Sequence, residues 1–454
     1  MALRRRRIIM RLQRLAHRPA LVGCMWLALA WLLAVVAMTF PATVVAGVWS
    51  GPARLAGPLA GDRGLLGRLP TVAVNRRGQS LVAWSEEGGH GVSVVVGDVR
   101  GRFGRAVVLS STGARPVAAI ADDGTAVVLW EDRGPSVMAA VRSPSGRFGR
   151  PERISGTSCG LFYSPVVAFN RRGNALVAWT LAFRGRESQV EVVSRPAGGR
   201  FSSPSSLGTG LGVRVALNAR GDAVASWTQV VETGGRFPVP YSRTSVAQVA
   251  VRRAGGRFGT PVTVSSTPTS ATTATISNQG TVAVAWERAN GPETDPYGAI
   301  QTSAQLTGGA FETPVDAPFV NARRSFGPML AGGSQGELVT LWREKARGVP
   351  TWKGAPLYWA TRRPGGTFGP RRTLTTTAVT SPQLASTGDG RALIVWTVRR
   401  FGAALYRSGT GFAAITPPAG RPAPAAQSLA AAGGFAAFAW QTTDRRLVAT
   451  VRRP

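Results

Sequence analysis

The sequence predicts an all-β chain: an eight-bladed β-propeller closed by its own two ends and preceded by an N-terminal apolar helix. Three observations carry this expectation. A tryptophan follows a glycine by six residues in eight places: Gly78/Trp84, Gly124/Trp130, Gly173/Trp179, Gly221/Trp227, Gly280/Trp286, Gly336/Trp342, Gly390/Trp396 and Gly434/Trp440. Seven of these units continue into a Gly-x-Phe element, at Phe103, Phe148, Phe201, Phe258, Phe311, Phe368 and, as Gly-Thr-Gly-Phe, at Phe412. The eighth unit is split between the two ends of the chain.

The residues between glycine and tryptophan are Val-, Leu- and Ala-rich, as in NRRGNALVAW, so the glycine closes a hairpin turn and the tryptophan ends the next strand. Each unit then reads as four strands. The first ends near the Asn/Asp-Gly turn (PTVAVN, SPVVAFN), the second ends in Trp, the third resembles AQVAVRR, and the fourth starts at Gly-x-Phe. That is one propeller blade. The Trp and Phe positions are expected to be core anchors between neighbouring sheets.

The eighth unit ends at Ala449-Thr450-Val451-Arg452-Arg453-Pro454, which matches Ala360-Thr361-Arg362-Arg363-Pro364, the segment that elsewhere leads into Gly-x-Phe. Gly47-Val48-Trp49-Ser50-Gly51-Pro52 supplies the missing element, with an aromatic residue and a proline three residues later, as in Phe148 and Pro151. Residues 47–454 therefore form one propeller whose N-terminal strand completes the last blade, leaving no sheet edge at which the ring could open. A monomer is the expected state.

Residues 1–46 read as an Arg-rich export leader. Arg4, Arg5, Arg6, Arg7, Arg11, Arg14 and Arg18 precede an apolar stretch from Ala20 to Phe40, which is long enough to span a bilayer, whereas Pro41 and Val44-Val45-Ala46 resemble a cleavage site. A signal peptide and a retained anchor both fit. Either places the rest of the chain outside the cytoplasm, secreted or held to the membrane by the N-terminal helix.

These repeats resemble the sialidase-type superfamily of β-propellers, which also builds tandem four-stranded blades with an aromatic-Gly signature. The resemblance covers everything after the leader and concerns architecture only. That family's repeated motif, S-x-D-x-G-x-x-W, sets Gly three residues before Trp; here the distance is six, so no catalytic residue is carried over.

Composition narrows the chemistry further. Of two histidines and two cysteines, His17 and Cys24 lie in the leader, which leaves His90 and Cys159. Histidine-clustered metal sites, Ser-His-Asp or Cys-His machinery and a disulfide framework are excluded, and neither a cofactor nor a metal is expected. The charge of +32 rests almost wholly on arginine, Lys345 and Lys353 being the only lysines. Biased codon usage accounts for such a skew; the charge also favours anionic envelope polymers, whereas nucleic acid is not an expected partner.

The loop that follows Trp is longest in units 4, 5 and 6, where Trp-to-Phe spacings of 31, 25 and 26 compare with 16 to 22 elsewhere. These loops are neighbours on one face. They carry Tyr241, Tyr297, Trp352 and Tyr358 beside Arg243 and Lys353, a set suited to stacking on sugars or gripping a peptide. Acidic residues after the repeat Trp, namely Glu86, Glu131, Asp132, Glu287 and Glu344, recur on that face and are expected to pair with Arg133, Arg288 and Arg343. The leading expectation is thus an exported, envelope-associated binding or scaffold module for glycan or protein ligands. Its alternative is a sialidase-like glycoside hydrolase, which would use two opposed carboxylates.

Overall fold

A computed structural model describes residues 47–454 except 59–69, 87–90, 133–135, 157–160, 184–185, 234–241, 291–296, 321–322, 334–335, 347–348, 350–353, 388 and 421. The leader therefore lies outside the described residues. The described residues are all-β, built from antiparallel sheets, and no helix among them is long and apolar enough to cross a membrane.

The hairpin of each unit follows from its glycine. All eight repeat glycines have φ between 76° and 103°, a left-handed conformation that a side chain would strain. In the first six units the glycine N–H closes the turn, as in Gly78 to the Asn75 carbonyl at 3.0 Å. The turn asparagines do more. Asn75 Oδ1 accepts from the amides of Arg77 and Gln79, while its Nδ2 donates to the Ala121 carbonyl of the next unit at 2.8 Å. Asn170 and Asn218 repeat this reach, to the carbonyls of Asn218 and Ser277.

Six sheets have four strands and one has seven. In the seven-stranded sheet, the strand Arg372–Ser386 bends: its first part pairs with Ala355–Arg362 of unit 6, and Thr380 onward pairs with Ala392–Thr397 of unit 7. It thus serves two successive units. First strands of successive units lie side by side, from Thr71–Val74 in unit 1 to Pro422–Ala432 in unit 8, and the last lies beside the first. An opening of about 520 Å³ on the turn face is lined by residues of every unit, from Val74 round to Ala431.

The core is distributed between the sheets. Each apolar cluster joins neighbouring units; Trp84, for example, packs with Val72 and Val82 against Ala439, Leu447 and Val451 of unit 8. Seven repeat tryptophans are at most 2 % exposed, and Trp396 is half-buried. In four units the repeat Phe makes only a single bridge, as in Arg142 with Phe148 and Arg252 with Phe258, and the fourth strand starts a few residues later; in unit 7 Phe412 lies within the fourth strand Gly411–Ala414. Glycine and proline around the phenylalanine delay regular pairing.

Closure uses the N-terminal segment. Trp49 bridges Arg452, the Ser50 amide donates to the Val451 carbonyl at 2.8 Å, and Ala53–Pro58 pairs antiparallel with Arg446–Ala449. Trp49 thereby takes the place that Phe148 and Phe258 hold in their units. Its indole donates to the Thr416 carbonyl at 2.9 Å and meets Phe438 edge-on. Trp49→Ala is expected to destabilise the fold by about 2–3 kcal/mol. Deleting residues 47–56 should lower the melting temperature far more and yield strand-exchanged dimers, read by thermal unfolding and size-exclusion chromatography.

Candidate functional site

First strands begin, and second strands end, on the face opposite the Gly turns. Two repeat features meet there. In seven units the register of first against second strand slips by a bulge near this mouth. Nine residues before the repeat glycine, Arg115, Gly212, Ala271, Gly327 and Ser381 have φ of 47° to 68°. Three of these are not glycine, and each such residue costs on the order of 1 kcal/mol. The bulges turn the residues ahead of them toward the ends of the second strands.

At units 5 and 6 this geometry gathers charge. Glu287 follows Trp286 in the second strand of unit 5, Val282–Asn290, and Arg324 is the second residue of the first strand of unit 6, Arg323–Gly332; Arg324 Nη2 donates to Glu287 Oε1 at 2.7 Å and Nε to the same oxygen at 3.1 Å. Across the hairpin of unit 6, Arg324 pairs in register with Lys345, and Phe326 with Arg343. The Phe326 ring lies 4.5 Å from the Arg343 guanidinium carbon and 5.1 Å from Lys345 Nζ. Three cations thus surround one carboxylate. Lys345 is 6 % exposed, sheltered by a thin layer of protein. Burial, then the repulsion of Arg324 and Arg343, pushes its ammonium below the ordinary lysine value, with Glu287 opposing. Burial likewise lowers the Arg343 guanidinium. Arg343 Nε and Ser325 Oγ are buried and have no hydrogen-bond partner among the described residues.

Apolar packing is thin at this interface. Its clusters hold Ile300, Ala317, Trp342, Tyr358 and Ala360 in one place and Ala283, Ala304 and Leu338 in another, where other neighbouring units share larger cores. Glu344, fully buried on the other side of the strand, accepts from the Trp342 indole at 2.8 Å and from Arg371. Arg371 also covers the Tyr358 ring, at 4.3 Å.

Three of the acidic residues after the repeat Trp form ion pairs, with other partners than those expected. Glu131 pairs with Arg115 at 3.1 Å, Glu287 with Arg324 and Glu344 with Arg371, while Arg288 takes Asp316. The partners come from first and fourth strands, which stand beside the strand end, rather than from the next residue along it. Arg133 lies outside the described residues.

Of the loop residues, Tyr241, Trp352 and Lys353 fall outside the described residues, as do the side chains of Arg243 and Tyr297. The strand ends that carry them are visible: Glu232 faces Arg243 and Asn290 faces Tyr297 in register. Tyr358 lies in the third strand of unit 6, 8 % exposed, and is a packing element of the interface rather than a loop side chain. Arg324 and Lys345 were not singled out by sequence. A signal existed in Lys345, one of two lysines among 54 basic residues.

No protein-family model matches the chain, and no curated protein matches its sequence. Among solved structures it is similar to an ulvan lyase of polysaccharide lyase family PL25, at 12% identity over 82% of this chain and 98% of that one, with a TM-score of 0.48. It is also similar to the α-L-arabinofuranosidase Arb93a of Fusarium graminearum (10%; 89% and 97%; 0.41) and to the α-L-arabinanase of Penicillium chrysogenum complexed with arabinobiose (8%; 89% and 98%; 0.42). The expectation of a non-catalytic binding or scaffold module is corrected here, because these similar structures are glycan-processing enzymes, the class of its alternative. At such identities no residue role transfers.

Gly298 holds the cluster together. A Cβ there would stand 2.2 Å from the Ser325 carbonyl oxygen and 2.9 Å from Glu287 Oε1. Gly298→Ala should therefore part the Glu287–Arg324 pair and cost about 2 kcal/mol, measured by chemical unfolding.

Proposed function

We propose that this protein is an eight-bladed β-propeller enzyme that processes an acidic glycan at the mouth between units 5 and 6. The observation that carries the reading is the surplus of cations there: Arg324, Arg343 and Lys345 around Glu287. A sheltered surplus of positive charge is complementary to a carboxylate or sulfate on a sugar. The similar structures support the glycan as substrate class.

The groups suit elimination better than hydrolysis. Hydrolysis by two opposed carboxylates needs one that can deliver a proton, whereas Glu287 and Glu344 sit in ion pairs with Arg324 and Arg371. Lys345 offers a proton acceptor whose amine form is favoured by burial and by the two arginines. With a uronate carboxylate held by Arg324 and Arg343, the Lys345 amine takes the proton from the carbon next to that carboxylate. The electron pair forms a C=C bond and expels the glycosidic oxygen, which receives a proton from the ammonium so formed. Tyr241, Tyr297, Trp352, Arg243 and Lys353, on the long loops of the same face, would grip neighbouring sugars. Residues 1–46 would export the enzyme to where such polysaccharides occur.

Assays with a panel of uronate polysaccharides test this through the ultraviolet absorbance of unsaturated sugar products. Lys345→Met should lower kcat/KM by about 100-fold or more while the melting temperature holds or rises, since one of three clustered cations is removed. In the parent, kcat/KM should climb with pH through a pKa below the ordinary lysine value of 10.5, because the neutral amine is the active form and Arg324, Arg343 and Glu287 are the charges facing it. New reducing ends without unsaturation, or full activity in Lys345→Met, would refute elimination at this site.

A further inference from the structure

A second basic site lies on the opposite face, in a cleft of about 800 Å³ between units 3 and 4. We infer that this cleft binds an oxyanion carried by a polysaccharide, held between Arg195 and Arg252. Third strands of both units end here, and each arginine rests on its unit's repeat phenylalanine: Arg195 on Phe201 at 6.0 Å and Arg252 on Phe258 at 5.4 Å. Ser194, Ser202, Ser203, Ser205 and Ser206 line the cleft with hydroxyls, and no lining residue is acidic.

The two guanidinium groups are under-committed. Arg195 is 8 % exposed, and its Nη1 is buried without a hydrogen-bond partner among the described residues; Nε of Arg252 is in the same position. Arg252 spends Nη1 on the Ser194 hydroxyl. Arg220, at the rim, is already paired with Asp222 at 2.8 Å. Burial lowers both Arg195 and Arg252 from their ordinary values; the charges of Glu152 and Asp123 oppose that effect at Arg195, whereas no carboxylate does so at Arg252. A sheltered cation that lacks a counter-charge is destabilising, and a bound anion relieves it.

The repeat supplies an internal comparison. Between units 5 and 6 the equivalent arginine, Arg362, has its anion built in: Glu312, the residue after Phe311, together with the Thr302 hydroxyl at 2.8 Å. Between units 3 and 4 the residue after Phe201 is Ser202. A hydroxyl thus stands where the other interface has a carboxylate, and the space beside it is open. Guanidinium forks and serine hydroxyls together match a sulfate or carboxylate group and the sugar hydroxyls around it. That a glycan carries the anion rests on the proposed function; the oxyanion site does not.

Titration calorimetry on the full chain tests this with dextran sulfate, uncharged dextran and polyphosphate. Dextran sulfate should bind, dextran should not, and polyphosphate should bind more weakly. Arg195→Gln/Arg252→Gln should lose about tenfold or more of the affinity for dextran sulfate. Ser202→Glu, which places a carboxylate against Arg252 as Glu312 lies against Arg362, should lose as much while raising the melting temperature; it carries the test if the double variant fails to fold. Unchanged affinity in Ser202→Glu would overturn the site, because the charge at large would then be the determinant. Polyphosphate binding as tightly as dextran sulfate would overturn the glycan class. Activity at the mouth should be unaltered in Ser202→Glu, so failure of this site and failure of the proposed reaction are separately visible.

Discussion

Pairing of the N-terminal strand Ala53–Pro58 with the C-terminal strand Arg446–Arg452 is the constraint on which the rest depends. A four-stranded sheet from this chain has two apolar faces, as the alternate memberships of Leu81 and Val82 in different clusters show, and it is stable only between two neighbours. For a row of such sheets, the end sheets are satisfied only if they meet each other. Trp49, on Arg452 and against Phe438, seats the joining segment. Once the row is closed, every first strand must face a common axis, and all the second-strand ends must gather at one mouth.

That arrangement gives the mouth its chemistry without any loop having to be placed with care. The residue after a repeat tryptophan and the residue that opens the next first strand are brought within hydrogen-bond distance by the ring itself, as Glu287 and Arg324 are. Elsewhere this proximity makes neutral hydrogen bonds, as between the Ser85 hydroxyl and the Arg115 amide or between Thr397 and Gln427. Units 5 and 6 instead bury Glu287, Glu344 and Lys345 there, with smaller apolar clusters beside them. Charge of one sign in excess at a sheltered place weakens a fold, and the proposed site rests on this exception to an otherwise regular repeat.

Much of the fold was legible because its periodic parts are local. Six residues from Gly to Trp are one turn and one strand, and the eight left-handed glycines occupy the positions that spacing assigns them. The split eighth unit was legible for the same reason: Trp49 and Pro52 repeat the spacing of Phe148 and Pro151. Ion-pair partners were not, since Arg324 lies 37 residues from Glu287 and only the packing of one sheet on the next joins them. Tyr358 was misplaced because the third strand of unit 6 starts at Ala355, earlier than the long preceding insertion suggests. The bulges had an unread signal. Pro70, Pro116, Pro165, Pro328 and Pro382 each stand eight residues before a repeat glycine, and the last four lie within the slip in register of their units.

The central claim is that an acidic glycan is engaged at the mouth by the cations of unit 6. A crystal structure of the protein soaked with a uronate oligosaccharide addresses it most directly. The account predicts a sugar carboxylate within hydrogen-bond distance of Arg324 or Arg343, with Lys345 Nζ facing the carbon next to it. Oligosaccharide bound away from these three residues, with the Glu287–Arg324 pair undisturbed beneath an empty mouth, would contradict it.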